Sequence, residues 1–199
     1  MSDEQPLDLT MITPPATEPV ALTTAKLHCR VDGSDEDGLI EGLIAAARAH
    51  IEDATGRALV ERTLEIRVDA WPVRLYLPNP PAMRIVSVTA VDGAGAATVL
   101  DSDAYTLRTG VEPGYVLFDS TLRPAVDLAD FAGVRVRYAA GYGAASDVPT
   151  PLKQAILLLV GHWYAYREAV GQSNQAALPF AVDALLGPYR LYWFGAWAQ

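Results

Sequence analysis

Residues 39–68 read LIEGLIAAARAHIEDATGRALVERTLEIRV, and a change of hydrophobic period inside this stretch decides the fold. Leu39, Leu43, Ala47 and Ile51 recur every four residues beside Ile40 and Ile44, which sets one apolar stripe along a helix. Gly56 stops it, because glycine takes the left-handed conformation that ends helices at the least cost. From Glu61 the period is two. Leu64, Ile66 and Val68 alternate with Glu65, Arg67 and Asp69, so one face of a strand is apolar and the other charged. A helix hands over to a sheet within a few residues.

Outward toward the N-terminus, Ser34 offers an N-cap with Asp35, Glu36 and Asp37 in the first turn, so the long helix is expected over about 36–55. Before it, Thr23 or Thr24 can cap a short helix over about 24–31 that stops at Asp32-Gly33. Residues 1–23 hold Pro14, Pro15 and Pro19 without a hydrophobic period and read as an extended arm. In the other direction the strand pattern continues through Val73, Leu75 and Leu77, then Ile85, Val86, Val88 and Val91 before the turn at 92–95. It resumes at Tyr105 and Leu107, at Tyr115 to Phe118, and at Val134, Val136 and Tyr138. The helical period returns with Thr150 as N-cap, Pro151 at the tolerated first position, and an apolar face of Leu152, Ala155, Ile156, Leu159, Val160 and Trp163. A polar loop at 171–175 precedes a short helix ended by Gly187-Pro188. The expected fold is α+β: a small helical bundle (helices about 24–31, 36–55, 151–167 and 180–186) with an inserted antiparallel β domain at about 61–140. The expected organisation is an arm at 1–23, a helical domain from 24–60 and 149–190, a β-rich insertion at 61–148 and an aromatic tail at 191–199.

The chain has 199 residues, 51% hydrophobic and 20% charged, enough to bury a core without disulfides. Cys29 is its only cysteine, which excludes an intrachain disulfide and any multi-cysteine metal site. The formal net charge is −9, and residues 1–56 hold 3 basic against 11 acidic side chains. Such a surface repels a phosphate backbone, so tight DNA binding is not expected. The acidic start MSDEQPLDLT is no secretory signal, and the most apolar run, Ala155 to Val160, is far short of a bilayer span. Cytoplasmic assembly without a membrane is the expectation.

Motifs for chemistry are missing. His28 and Cys29 are adjacent and diverge on a helix, and His50 and His162 lack His or Cys partners at helical spacing. No G-x-S-x-G occurs, and Gly93-Ala94-Gly95 and Gly141-Tyr142-Gly143 lack what a phosphate cradle needs. No catalytic residue, cofactor or metal is therefore expected. What stands out is aromatic: nine of 17 aromatic residues lie from Trp163 onward, five of them (Tyr189, Tyr192, Trp193, Phe194 and Trp197) within nine positions. They either fold back onto the chain's own core or anchor a partner, since aromatics dominate interface hot spots.

The order of these pieces resembles the head-tail connector (adaptor) proteins of long-tailed phages and gene transfer agents. The resemblance is carried by Pro19 to Thr23 leading into Ala25 to Val31, by Leu39-Ile40 and Leu43 to Arg48, by Thr55 to Leu59, and by Leu75 to Pro78 with Pro80. Ser87-Val88, Gly141 to Gly143, Val148-Pro149, Leu158 to Arg167, Leu178-Pro179 and Ala184 to Arg190 continue it, and beyond Arg190 the aromatic extension departs from the pattern. The resemblance implies a non-catalytic homo-oligomeric ring, commonly a dodecamer, that docks on the portal protein and passes the tail axis to a stopper or tail-completion protein at the head-tail junction of a phage-like particle. In that family the C-terminal segment engages the portal, which points here to Phe180, Leu185, Leu186, Tyr189, Arg190, Tyr192, Trp193, Phe194 and Trp197.

In such a ring, double-stranded DNA passes through the lumen, and Asp35, Glu36, Asp37 and Glu41 are candidate lining residues, or simply a solvated helix start. Two other readings stay open. One is a ligand-binding β module that stacks carbohydrate on Trp71, Tyr76, Tyr105 and Tyr115; the other is a hydrolase built on carboxylates.

Overall fold

The computed structural model describes residues 8–166 and 177–192. They form two compact units, one of the described residues within 16–60 and 142–191 and one of 61–141 with 8–15 and Tyr192.

The first unit packs α1 (Leu22–Cys29), α2 (Asp37–Thr55), α3 (Thr150–Ala165) and α4 (Ala177–Leu186). The core face of α2 takes Ala47 and Ile51 from the four-residue stripe but Ile40 and Ile44 from beside it, all buried with Leu152, Ala155, Ile156 and Leu159 of α3 and Val182 and Leu186 of α4. Leu39 and Leu43, the other members of that stripe, are exposed and half-buried. The helix ends differ from the sequence expectation, and each difference is a matter of capping. Thr23 and Thr24 lie inside α1, which starts after Ala21; it stops at Arg30 in the left-handed conformation, with Val31 N–H returning to Lys26 O at 2.9 Å, before Asp32-Gly33 is reached. Ser34 uses its backbone carbonyl in a turn (Asp37 N–H at 3.2 Å), so α2 begins at Asp37 with no side-chain cap. Thr150 is already helical, because Pro149 supplies the carbonyl that takes the first N–H groups.

Three charged groups meet in this unit. Arg48 of α2 donates to both carboxylate oxygens of Glu18 (2.7 and 3.2 Å) and, one turn on, to Glu52 Oε2 at 2.9 Å, while Glu52 Oε1 accepts Leu59 N–H at 2.9 Å. Burial works against the Arg48 charge, but the two carboxylates outweigh it and hold its pKa above the ordinary arginine value. One guanidinium thus ties the segment before α1 to the segment after α2.

The second unit contains two antiparallel sheets. The larger runs in the order β1 (Asp8–Thr13), β2 (Arg62–Val68), β8 (Val134–Ala140), β4 (Ala82–Val91), β5 (Ala97–Val99); the smaller runs β3 (Arg74–Tyr76), β7 (Tyr115–Phe118), β6 (Tyr105–Arg108). The arm expected at 1–23 therefore contains a strand, unread because DLTMIT offers one turn of alternation and no flanking turn signal. β5 was also unread, being three exposed residues. Leu64 and Ile66 pair with Tyr138 and Val136, and this face is buried. Irregular pairing between Ile85 and Ser87 breaks the alternation of β4, which is why Val86 is exposed while Val88 is fully buried. Tyr138 is buried as well, and its hydroxyl donates to Pro78 O at 2.7 Å; burial alone pushes its pKa far above that of free tyrosine.

On the opposite face Glu65 is only 2% exposed, held by Arg67 Nε at 2.7 Å and Arg137 Nε at 2.5 Å. Burial by itself would raise its pKa; the hydrogen bonds and charges of Arg137 and Arg67 prevail and lower it. A carboxyl depressed in the folded state contributes stability that is present above its unfolded pKa, about 4.3, and is lost as pH falls through the folded value. Glu65→Gln is expected to cost about 1 kcal/mol at neutral pH, small because Arg137 is half exposed, and to flatten the loss of stability between about pH 5 and 3 in urea titrations. A wild-type slope in the variant would assign the acid sensitivity elsewhere.

Gly133 tests the packing of this unit. A Cβ there would meet Asp69 O, Ala129 O and Leu128 Cβ, each at 2.9 Å, two of them backbone atoms that cannot rotate away. Gly133→Ala is expected to lower stability by about 2–3 kcal/mol in urea unfolding. Gly93→Ala, where the space is open, is expected to stay within about 0.5 kcal/mol.

Candidate interaction surfaces

The C-terminal segment is fastened to the end of α2. Gly56 ends that helix at φ +70, and the turn sets Thr55 O to accept Leu191 N–H at 2.9 Å, while Arg57 Nε donates to Tyr189 O at 2.5 Å. Leu191 Cβ lies 3.5 Å from where a Cβ on Gly56 would sit, so glycine serves here both for its backbone angle and for its missing side chain. Of the sequence-predicted anchors, Phe180 and Tyr192 are strongly exposed, at 75% and 69%. Leu185 and Tyr189 are half-buried against the helical core. Arg190 is bound to Asp183 at 2.8 Å. Leu186 is 1% exposed and belongs to the subunit's own core, because the four-residue step from Val182 carries it to the inner face of α4; it offers no surface. Trp193, Phe194 and Trp197 lie outside the described residues.

The acidic start of α2 separates into two kinds of group. Asp37 pairs with Lys26 Nζ at 2.5 Å, and Glu36 accepts a hydrogen bond from the Tyr164 hydroxyl, so both tie the helix start to its neighbours. Asp32, Asp35 and Glu41 are exposed. Glu41 also lines an open groove of about 990 Å³ with Glu18, Val20, Leu22, Lys153 and Leu157. No histidine or cysteine lines it, and among the described residues no group of three or more His, Cys, Asp or Glu could hold a metal ion. Among them, too, no helix is long and apolar enough to cross a membrane.

The expected stacking face in the β unit does not form as one surface. Side chains alternate along a strand, and Tyr115 and Phe118 are three apart in β7, so they point to opposite faces. Tyr76 is paired with Tyr115, whereas Tyr105 is paired with Phe118, against whose ring Trp71 packs edge-on at 5.5 Å. Tyr76 and Tyr115 are thus separated from Tyr105 and Trp71. Their face holds something the sequence reading missed. The row Tyr76, Tyr115, Arg108 lies across the three strands, and the next row is Arg74, Leu117, Thr106. Arg74 Cζ stands 4.6 Å from the Tyr115 ring centroid and 5.7 Å from that of Tyr76, and its Nη1 donates to the Tyr76 hydroxyl at 2.9 Å. The i, i+2 spacing of Arg74 and Tyr76 signals a shared face, but the register that adds Tyr115 and Arg108 is not in the local sequence.

Compared with known proteins, residues 19–81 match the family model for phage gp6-like head-tail connector proteins. No curated protein matches the chain in sequence. Among solved structures, the chain is similar to one in the neck of an empty gene transfer agent particle computed with C6 symmetry, at 24% identity and a TM-score of 0.79, covering 95% of this chain and 98% of that one. It is similar to another from the virion of the native particle, at 24% identity and a TM-score of 0.78 over 94% and 97% of the two chains. A third, in the native neck computed with C12 symmetry, matches at 24% identity with a TM-score of 0.69, over 94% and 100%. The resemblance read from the residues is therefore borne out: the chain is similar to phage gp6-like head-tail connector proteins in the sequence of residues 19–81, and to gene transfer agent neck chains in the fold of nearly its whole length.

Proposed function

We propose that the protein is a structural head-tail adaptor: identical copies close into a ring, commonly twelvefold in such necks, that docks on a portal and joins the head to the tail of a phage or gene-transfer-agent-like particle, with DNA passing through the lumen. The observation that carries this is the coincidence of the connector family match over 19–81 with a fold shared end to end with neck chains. The clamped C-terminal segment supports the portal-binding reading. Arg57 and Thr55 hold the chain at Tyr189 and Leu191, and Tyr192, the next residue, is exposed. A ring multiplies such an anchor by its valency. The exposed Asp35 and Glu41 suit a wall along which DNA slides without adhering. A stopper or tail-completion protein would take the opposite end of the ring. No turnover is required by this role.

Removing residues 192–199 is expected to leave the fold intact, because the Thr55–Leu191 and Arg57–Tyr189 bonds remain, while weakening binding to the cognate portal at least 100-fold in a pull-down or interferometry titration. Undiminished portal binding by the truncated chain would reject the anchor.

A further inference from the structure

The face of β3, β7 and β6 that carries Arg74, Tyr76, Tyr115 and Arg108 is a built cation platform in an acidic protein. Arg74 is fixed by the Tyr115 ring and the Tyr76 hydroxyl, and a guanidinium held in one geometry loses little entropy on meeting a carboxylate. These two tyrosines also raise its pKa, foremost through the hydrogen bond that Arg74 donates to the Tyr76 hydroxyl. Neither Arg74 nor Arg108 has a carboxylate partner among the described residues, whereas Arg48, Arg67, Arg84, Arg137 and Arg190 all do. Arginine and tyrosine together are the composition of interface hot spots, and a guanidinium stacked on an aromatic ring keeps donors in a fork that matches a carboxylate.

We propose that this face receives the acidic turn before α2, Asp32 and Asp35 with Glu41 at its side, from the neighbouring copy of the chain. The inference rests on the ring reading above and adds to it the contact that closes the ring. Charge complementarity selects the occupant. Residues 1–56 hold 11 acidic side chains, and of those around the helix start Asp37 and Glu36 are already bound within the subunit, while Asp32, Asp35 and Glu41 are exposed and have no basic partner among the described residues. A head-to-tail interface joins two different faces of identical chains, so one chain can supply both the cations and the carboxylates.

The test uses the full-length protein and mass photometry across a concentration series at about 50 and 300 mM salt. Arg74→Glu with Arg108→Glu, and separately Asp32→Arg with Asp35→Arg, are each expected to raise the concentration for half-assembly more than tenfold, and to remove most of the salt dependence. Mixing the two variants is expected to restore assembly to within about threefold of wild type, since each now carries the charge the other lost. That recovery cannot come from unfolded protein, and Arg108→Glu alone, at an exposed side chain, gives a second variant that leaves the fold unburdened. Wild-type rings with undisturbed rings in both variants would overturn this contact and leave the ring reading standing. A wild-type protein that stays monomeric at every concentration, alone and on the portal, would overturn both. Variant rings that form normally but lose retention of a short DNA duplex would assign the face to phosphates and overturn the proposal.

Discussion

The end of α2 is the constraint on which the helical unit depends. Within six residues, Glu52 takes the N–H of Leu59, Thr55 O takes the N–H of Leu191, Gly56 turns the chain at a positive φ, and Arg57 holds Tyr189 O. These are polar groups at a helix terminus that would otherwise be left unsatisfied in a buried place. Satisfying them with distant backbone has a topological effect. Leu59 O accepts Tyr142 N–H at 3.1 Å, so the points where the chain leaves and re-enters the helical unit are adjacent. In the β unit, Arg62 is likewise opposite Ala140. A domain can be inserted into a bundle at low cost when its two ends already meet, because the bundle then closes around no new loop.

Arg48 extends this constraint to the other side of α2. Its bidentate bond to Glu18 and its i, i+4 bond to Glu52 lie in a place only partly open to water, where the loss of one partner leaves a desolvated charge. The chain before α1 is therefore fixed by an ion pair as well as by the buried Val20. The sequence shows half of this: Arg48 and Glu52 stand at helical spacing, but nothing local says that Glu18, thirty residues away, completes the set.

The same division between local and distant information explains what was legible. Every long period in the chain appears where its spacing put it. The apolar side of α2 is in the core, the strands at 62–68, 105–108, 115–118 and 134–140 form, and α3 follows Pro149. Short or irregular segments were not readable. β1 takes its place by pairing with β2, a tertiary event, and Val86 turns outward because β4 bulges beside it. The caps differ because Ser34 accepts through its backbone carbonyl and Pro149, not Thr150, supplies the first carbonyl of α3. Among the candidate site residues, Phe180 and Tyr192 carry aromatic surface, but Leu186, which the resemblance includes with its C-terminal segment, is core by its phase on α4. Tyr105 and Trp71 were grouped with Tyr76 and Tyr115 by residue type, and strand parity separates them.

Charge adds a limit that the fold must accommodate. A chain of net charge −9 meeting its own copies around a ring would be expected to repel them. At physiological salt, however, exposed charges further apart than about 8 Å hardly interact, so the total matters less than the few groups brought together at the contact. Five arginines here, Arg48, Arg67, Arg84, Arg137 and Arg190, are spent inside the subunit, on Glu65, Glu61, Glu18 or Asp183. Association between like-charged copies can therefore turn on a small number of cations that the subunit does not neutralise itself. Arg74, held by two tyrosines, and Arg108 beside it are such cations: neither has a carboxylate partner among the described residues, so their hydrogen-bonding capacity is open to an acceptor outside the subunit.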